Sequence, residues 1–303
     1  MCGRENRGAM MKGRMKILIG YDGSEYADAA IDDLRRAGLP MEATAVVLSV
    51  IESWSLAPSG FELIEDTDEM IQIKATARRG AARVKSLMTE WEVEPEVAVG
   101  SPAGAILEKS EAWNPDLIVV GSHGRRAAGR IFFGSASLKL AHEAHRTVRV
   151  ARALREGPPR PSRMIIGVDG SKGSEEAVNA VASRHWPENS EARIVHACWR
   201  IPTATSEPLL SQIAEWIAEE HARVKVAIDA AFEKLRQAGL RTSVVVKEEE
   251  PKALLLNEAE GWNADCIFVG ARGVGRVERL LTGSVSSAVA ARAHCSVEIV
   301  RVA

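Results

Sequence analysis

The sequence predicts an α/β fold built from two tandem, doubly wound, open parallel sheets of five strands each, with helices on both faces. Two observations support this prediction. Short apolar runs rich in β-branched residues alternate with segments of helical length, which is typical of parallel strands joined by helices. The second half of the chain repeats this order and much of the sequence of the first half. We therefore expect two domains of one architecture.

The internal repeat can be read directly from the chain. A shift of 149 residues aligns SPAGAILEKSEAWNPDLIVVGSHG with EPKALLLNEAEGWNADCIFVGARG, so that Trp113 meets Trp262. Near the beginning of each repeat the shift is 147, which places Asp22 on Asp169. The proline- and arginine-rich ALREGPPRPSR between the repeats has the composition of an exposed linker. The predicted boundaries are an N-terminal tail over 1–14, a first domain over 15–152, a linker over 153–162 and a second domain over 163–303.

The strands are predicted at the apolar runs. In the first repeat these are KILIGY, ATAVVLSVI, EPEVAVG, DLIVVG and TVRVAR, and in the second MIIGVD, ARIVHACW, TSVVVK, DCIFVG and SVEIVRV. SEYADAAIDDLRRAG places apolar residues on one helical face and stops at Gly38, a good C-terminal signal. Trp113 and Trp262, before the fourth strands, are expected to pack in the core rather than to stack on a ligand.

Composition narrows the class of protein. With 39 basic and 41 acidic residues the net charge is −2, so no global field recruits nucleic acid or an anionic membrane. No apolar run approaches the ~18 residues of a membrane span, and the basic N-terminal segment lacks the apolar core of a signal peptide. The four cysteines form no C-x-x-C pair, which favours reduced thiols in a cytoplasm. Cys266 lies in an apolar run and is predicted to be a core residue.

Three glycines with one spacing follow the fourth predicted strand of each repeat. The first set is Gly121, two residues, Gly124, nine residues and Gly134-Ser135; the second is Gly270, two residues, Gly273, nine residues and Gly283-Ser284. In an open parallel sheet, ligands bind at the carboxyl ends of the strands where the strand order switches. Asp22 and Asp169 follow the first strands and are expected at the same crevice.

The residue types in this loop suit a phosphate. Glycine lets backbone amides approach a ligand closely, and the free amides at a helix N-terminus bind anions. The hydroxyls of Ser135 and Ser137 are further expected donors. Each loop also carries three arginines, which are Arg125, Arg126 and Arg130 in the first repeat and Arg272, Arg276 and Arg279 in the second.

This combination resembles the universal stress protein family, in the tandem form of its ATP-binding branch. The resemblance rests on G-x-x-G, nine residues and G-S after DLIVVG, together with YDGS or VDGS at the first strand. It covers the chain apart from the tail and the linker. It implies a fold like that of the adenine nucleotide alpha hydrolases, related to the Rossmann fold, and ATP or a related adenine nucleotide in each domain, with or without Mg²⁺. It also implies that the domains pair through their final strands.

The resemblance further implies the residues around the nucleotide. Asp22 and Asp169 would contact the adenosine moiety, and the backbone at Val50 and Ala197 would meet adenine. The residues expected around ribose and phosphates are Gly121, His123, Gly124, Arg125, Gly134, Ser135, Ala136 and Ser137 in the first repeat and Gly270, Arg272, Gly273, Val274, Gly283, Ser284, Val285 and Ser286 in the second. No metal ligands and no catalytic residues are predicted. Glu248, Glu249 and Glu250 are expected to form a solvated turn rather than to face the phosphates.

Three functions are compatible with the sequence. The leading hypothesis is a nucleotide-dependent stress-response module with at most slow ATP hydrolysis, because no Walker-type lysine and no repeated nucleophile-base pair is present. The second is an ATP-activating enzyme of the alpha hydrolase group, although neither first strand is followed by the Ser-Gly-Gly-x-Asp-Ser loop of such enzymes. The third is a nucleotide-free interaction scaffold. A dehydrogenase is disfavoured because the first turn lacks G-x-G-x-x-G. A larger homo-oligomer stays open.

Overall fold

The computed structural model describes residues 14–52, 67–123, 134–153, 160–198, 207–271 and 283–302. In the range 207–271, side chains are described from residue 218 onward. The first repeat contains β1 (Met15–Gly20), α1 (Glu25–Asp33), β2 (Ala43–Ile51), α2 (Asp68–Leu87), β3 (Glu92–Val99), α3 (Pro102–Trp113), β4 (Leu117–Gly121), α4 (Ser135–Glu143) and β5 (Thr147–Ala151). The second contains β6 (Arg163–Gly167), α5 (Lys172–Ala182), β7 (Glu191–Ala197), α6 (Glu207–Gln237), β8 (Arg241–Lys247), α7 (Pro251–Gly261), β9 (Cys266–Gly270), α8 (Ser284–Arg292) and β10 (Ser296–Val300).

Every strand predicted from the apolar runs is present. The first helix ends earlier than its apolar face suggests, because α1 gives way at Leu34 to a 3-10 turn that reaches Arg36. Gly38 then turns the chain with φ +63°, a left-handed conformation that favours glycine. Gly38 therefore ends the helical segment where the sequence predicts, but the last turn of this segment is a 3-10 turn instead of an α-helical turn.

The strands form one sheet in the order β3-β2-β1-β4-β5-β10-β9-β6-β7-β8. Within each repeat the neighbouring strands are parallel, which confirms the α/β prediction. The strand order switches direction between β1 and β4, and again between β6 and β9. The two five-stranded halves join where β5 and β10 lie antiparallel, so the final strand of each repeat has a neighbour on both sides.

Both faces of the sheet are covered. In the first repeat, Ile17 and Ile19 of β1 pack on one face with Ile31 of α1, whereas Leu18 packs on the other face with Ile106 of α3 and Leu140 of α4. This alternation follows from the two-residue period of a strand. Because both faces are buried at the centre of the sheet, strands such as β1, β4, β6 and β9 are almost entirely apolar, whereas the edge strands β3 and β8 are more exposed and carry polar residues.

A buried charge network lies at the centre of the β5–β10 contact. Arg149 stands directly opposite Glu298, and both residues are 0% exposed. The Arg149 guanidinium donates to Glu298 Oε2 at 3.1 Å and to Asp33 Oδ2 at 2.6 Å. Arg184 donates to both carboxylate oxygens of Glu298. Burial alone lowers the pKa of Arg149, but the carboxylates of Asp33 and Glu298 outweigh burial and hold that pKa well above its ordinary value.

Cys266 is buried next to this network, as the sequence predicts for a core residue. Burial raises the pKa of its thiol, so the sulfur stays protonated at neutral pH. Within the described ranges, none of the helices combines the length and apolarity needed to cross a bilayer.

Candidate functional site

Each repeat begins its site with a tight turn after the first strand. In the first repeat, Asp22 Oδ1 accepts a hydrogen bond from the Ser24 backbone N–H at 3.0 Å, and Gly23 has φ +78°. Ser24 then caps α1 by accepting from the Ala27 N–H at 3.2 Å. Such an Asx turn fixes the carboxylate at the carboxyl end of the central strand. The sequence Asp-Gly-Ser therefore has a local structural reason as well as an expected role with a ligand.

The second repeat builds the same turn. Asp169 Oδ1 accepts from the Ser171 N–H at 3.0 Å, Gly170 has φ +74°, and Ser171 caps α5 through the Ser174 N–H at 3.2 Å. We call residues 22–24 and 169–171 the DGS turns. Both lie where the strand order of their half of the sheet switches.

A side chain from the second strand lies within hydrogen-bond distance of the carbonyl of the residue directly before each DGS turn. The Ser49 hydroxyl donates to the Tyr21 carbonyl at 2.7 Å, and in the second repeat His196 Nδ1 lies 2.9 Å from the Val168 carbonyl oxygen. Ser49 and His196 are equivalent under the 147-residue shift and directly precede Val50 and Ala197. The predicted adenine-facing positions thus lie at the strand end next to the residue that precedes the DGS turn.

An arginine from the long helix also holds each DGS turn. Arg79 of α2 donates through Nη2 to the Gly23 carbonyl at 2.9 Å and through Nε to the Tyr21 hydroxyl at 3.1 Å. Arg223 of α6 donates through Nη1 to the Gly170 carbonyl at 3.0 Å. We call Arg79 and Arg223 the clamp arginines. The sequence did not identify them, because α2 and α6 are aligned by neither the 147-residue nor the 149-residue shift.

Gly121 and Gly270, at the ends of β4 and β9, have a packing role. A Cβ on Gly121 would lie 2.7 Å from the Tyr26 carbonyl oxygen, and one on Gly270 would lie 2.4 Å from the Gly173 carbonyl carbon. The sequence predicts that these glycines make room for a ligand. The structure shows that they make room for the first turn of α1 or α5, which leans across the strand end.

The helices α4 and α8 begin at the other side of the crevice. The Gly134 N–H donates to the Ser122 carbonyl at 2.9 Å, and the Gly283 N–H donates to the Ala271 carbonyl at 2.6 Å. Among the residues that the structure describes, neither helix has a side-chain hydrogen bond at its N-cap. In contrast, side chains cap α1, α2, α3, α5 and α7 at Ser24, Thr67, Ser101, Ser171 and Glu250. The first amides of α4 and α8 therefore have no side-chain acceptor at their N-cap.

The serines of these first turns divide into two kinds. Ser135 and Ser284 are exposed, as a ligand-binding hydroxyl needs to be. Ser137 is buried and its hydroxyl donates to the Gly121 carbonyl at 2.6 Å. Ser286 is buried as well, with the Ala271 carbonyl at 3.2 Å. The Ser137 hydroxyl was predicted to donate to a phosphate. In the structure it donates to the end of β4 and so joins α4 to that strand.

The whole chain is similar to known proteins in sequence and in fold. The model of the universal stress protein family matches residues 13–152 and again residues 161–301. The chain belongs to the universal stress protein family. A universal stress protein of Mycolicibacterium smegmatis is 28% identical over 94% of this chain and 96% of its own length, and one of Mycobacterium tuberculosis is 27% identical over the same shares. The crystal structure of a universal stress protein from Archaeoglobus fulgidus has the same fold, with a TM-score of 0.63, 22% identity and coverage of 94% of this chain and 98% of that one.

The two sites of this universal stress protein differ beside the fourth strand. The His123 ring lies 4.8 Å from the ring of Tyr26, and its Nδ1 lies 3.0 Å from Ser122 Oγ. In the second repeat Gly173 takes the position of Tyr26. Gly124, Arg125, Arg272, Gly273 and Val274, which were predicted to contact the nucleotide, lie outside the described residues. Ala136 and Val285 are half-buried and pack against the adjoining cores.

The predicted solvated turn at the second site is present. Glu248 and Glu250 are exposed, and Glu250 caps α7 by accepting from the Ala253 N–H at 3.1 Å. Glu249 accepts from Asn257 Nδ2 at 2.8 Å. Glu250 thus does for α7 what Ser101 does for α3, where Ser101 accepts from the Gly104 N–H at 3.2 Å.

The two equivalent tryptophans pack against their cores, as predicted. A cation also lies at the ring of each one. Lys16 Nζ is 5.6 Å from the Trp113 ring centroid, and the Arg193 guanidinium carbon is 4.1 Å from that of Trp262.

Proposed function

We propose that each repeat of this universal stress protein binds ATP or a related adenine nucleotide, and that the protein works as a nucleotide-dependent stress-response module with at most slow hydrolysis. The observation that carries the proposal is the pair of helices, α4 and α8, that begin without a side-chain cap. Each starts beside the strand end where the order of the sheet switches. Amides in this arrangement and the positive end of the helix dipole favour a phosphate group.

The remaining parts of the site suit the rest of a nucleotide. In this proposal the phosphates lie on the first turn of α4 or α8, and the carboxylate of Asp22 or Asp169 meets the ribose. The base lies at the end of the second strand, beside Val50 or Ala197. Mg²⁺ would arrive with the phosphates, since this ion is commonly held by substrate phosphates together with one or two carboxylates.

Binding is better supported than turnover. His123 has no histidine counterpart, because Arg272 takes its position in the second repeat. A nucleophile-base pair common to both repeats is missing from the predicted site residues, and activation of an attacking water needs such a group. The cysteine usage supports a cytoplasmic location. We take the intramolecular pair joined through β5 and β10 as the working unit, from which a homo-oligomer could be built.

The test is to identify and count bound nucleotide. Mass spectrometry of the supernatant from purified, denatured protein is expected to detect ATP. Calorimetric titration of stripped protein is expected to give about two sites per chain, with Gly134→Val and Gly283→Val each removing one because a branched side chain is placed at the uncapped helix start. Gly261→Val is the matched control, since a Cβ at that position meets nothing within 4 Å. Wild-type protein that releases no nucleotide and binds none would contradict the proposal and leave a nucleotide-free scaffold.

A further inference from the structure

An arginine at the end of the first repeat reaches into the second repeat. Arg152 directly follows β5, and its Nη2 donates to the Ala290 carbonyl in the last turn of α8 at 2.6 Å. Its Nη1 donates to the Cys295 carbonyl at 3.0 Å, and its backbone N–H donates to Ser296 Oγ at 3.1 Å. Burial lowers the pKa of Arg152 to about 10, so the side chain is still charged at neutral pH. A half-buried cation is thus placed on the carbonyl end of a helix from the other repeat.

The second repeat returns the same contact. Arg301 Nη2 donates to the Ala141 carbonyl in the last turn of α4 at 2.6 Å, and the Arg301 backbone N–H lies 3.3 Å from Thr147 Oγ1. Arg152 is equivalent to Arg301, and Ala141 to Ala290, under the 149-residue shift. We call Arg152 and Arg301 the crossing arginines. The exchange is reciprocal, so it belongs to the way in which the repeats pair.

The carbonyls that receive these arginines are at the ends of their helices. In α4 the Leu140 carbonyl accepts from the Ala144 N–H, and in α8 the Val289 carbonyl accepts from the Ala293 N–H. The carbonyls of Ala141 and Ala290 come next, in the last turn of each helix. A cation there satisfies a carbonyl and interacts favourably with the negative end of the helix dipole.

The opposite ends of the same two helices form the proposed phosphate sites. At about 1.5 Å per residue, a nine-residue helix is only roughly 13 Å long, so a shift at its C-terminal end is transmitted to its first turn. Arg152 therefore influences the position of the Gly283-Ser284 turn, and Arg301 influences that of the Gly134-Ser135 turn.

We propose that the crossing arginines are positioning residues in trans: Arg152 holds the phosphate-binding helix of the second repeat, and Arg301 holds that of the first. This inference rests on the proposed nucleotide binding. Each nucleotide site is then completed by the other repeat, and the two sites become dependent on the pairing of the final strands. An arginine that only stabilises the contact between the repeats would weaken both sites alike, or neither.

The test measures each site separately in the full chain. Gly134→Val leaves the second site for titration and Gly283→Val leaves the first. In these parents, Arg152→Met is expected to raise the ATP dissociation constant of the second site about three- to tenfold and to leave the first within about twofold. Arg301→Met is expected to give the opposite pattern. Arg152→Lys and Arg301→Lys keep one donor and the charge, so they are expected to restore part of the affinity.

Arg146→Met is the matched control, because Arg146 also lies beside β5 but bonds to Asn114 within its own repeat. It is expected to change neither site. Hydrogen exchange of the same single variants supplies a readout without nucleotide: Arg152→Met is expected to speed exchange in α8 and not in α4, and Arg301→Met the reverse.

The possible outcomes separate the two proposals. Equal weakening of both sites, weakening of the arginine's own site, or no change in either site would overturn the trans-positioning proposal. If the Gly134→Val and Gly283→Val parents bind no ATP, the proposed function fails, and the hydrogen-exchange pattern still decides whether each arginine holds the helix of the other repeat. If the methionine variants unfold, the lysine variants decide the same question.

Discussion

The contact between the two repeats has identical residues at its edges and oppositely charged residues at its centre. Away from the centre, Arg152 and Arg301 are identical and make the same crossing bonds. At the centre, Arg149 of the first repeat meets Glu298 of the second, and these are equivalent positions. An off-centre residue meets a different position of its partner, so identical residues can be complementary there. A central residue meets its own counterpart, and identity would place like charges together.

The residues that neutralise the two central charges also differ between the repeats. Asp33 neutralises Arg149 within the first repeat, and Arg184 neutralises Glu298 within the second. Ala180 stands at the position equivalent to Asp33, and Ala37 at the position equivalent to Arg184. Each repeat therefore carries its own partner for its central charge. Two first repeats joined in this way would oppose two buried arginines, which explains in electrostatic terms why an unlike pair is the stable one.

The largest effect is expected when the centre is made symmetric. Glu298→Arg places a second arginine against Arg149 and beside Arg184, with no carboxylate between them. Breaking a buried ion pair by removing one partner costs about 3 to 5 kcal/mol, and adding a like charge costs more. The free energy of unfolding from urea titration measures the loss, with Glu298→Gln as the milder variant. Glu260→Gln, at an exposed acid of α7, is the control. A loss below about 1 kcal/mol for Glu298→Arg would mean that the repeats separate or rearrange at little cost.

An intermediate effect is expected at the clamp arginines, which compare the two sites directly. Arg79→Met removes the donors to Gly23 and Tyr21, and Arg223→Met removes the donor to Gly170. A hydrogen bond from a charged group contributes about 1.5 to 3 kcal/mol, so each change is expected to weaken ATP binding about tenfold, and only in its own repeat. This dependence in cis is the opposite of that expected for the crossing arginines.

The clamp comparison has a control on each helix. Arg83→Met alters an arginine of α2 that pairs with Asp32, and Arg236→Met alters one of α6 that pairs with Glu233. Titration of the four variants in the single-site parents separates the sites. A clamp variant that weakens the site of the other repeat, or a control that weakens binding as much as the clamp variant, would contradict a local role in the DGS turn.

Sequence patterns predicted what is local or repeated, and missed contacts between segments that lie far apart in the sequence. The ten strands follow from β-branched runs, and the DGS turns and uncapped helices follow from residues at a fixed spacing. The clamp arginines escaped because α2 and α6 are out of register with the rest of the repeat. The crossing arginines escaped because their partners are backbone carbonyls, which carry no sequence signal. Gly121 shows a further reason: the sequence demands a glycine, but only the structure shows that helix α1 is what approaches it.

The smallest effect is expected at the ion pairs between a helix and the edge strand. The acid and the base of this pair have swapped elements between the two repeats. In the first repeat Lys109 of α3 pairs with Glu96 of β3, whereas in the second Glu258 of α7 pairs with Lys247 of β8 and also with Arg193. The hydrogen bond from Lys247 lowers the pKa of Glu258 below its ordinary value of 4.5; burial opposes this shift and Arg193 adds to it.

A carboxyl group with a lowered pKa in the folded state stabilises the protein at pH values above its unfolded pKa. The contribution is lost as the pH falls through the folded pKa, because the carboxyl group is then protonated in both states. Glu258→Gln is therefore expected to lower the unfolding free energy at pH 7 and to converge with wild type as the pH falls below 4.5. Glu260→Gln, whose acid is exposed on the same helix, is expected to leave the curve unchanged. A Glu258→Gln curve that stays parallel to wild type down through the acid range would show that packing, and not the Glu258 charge, stabilises this edge of the second repeat.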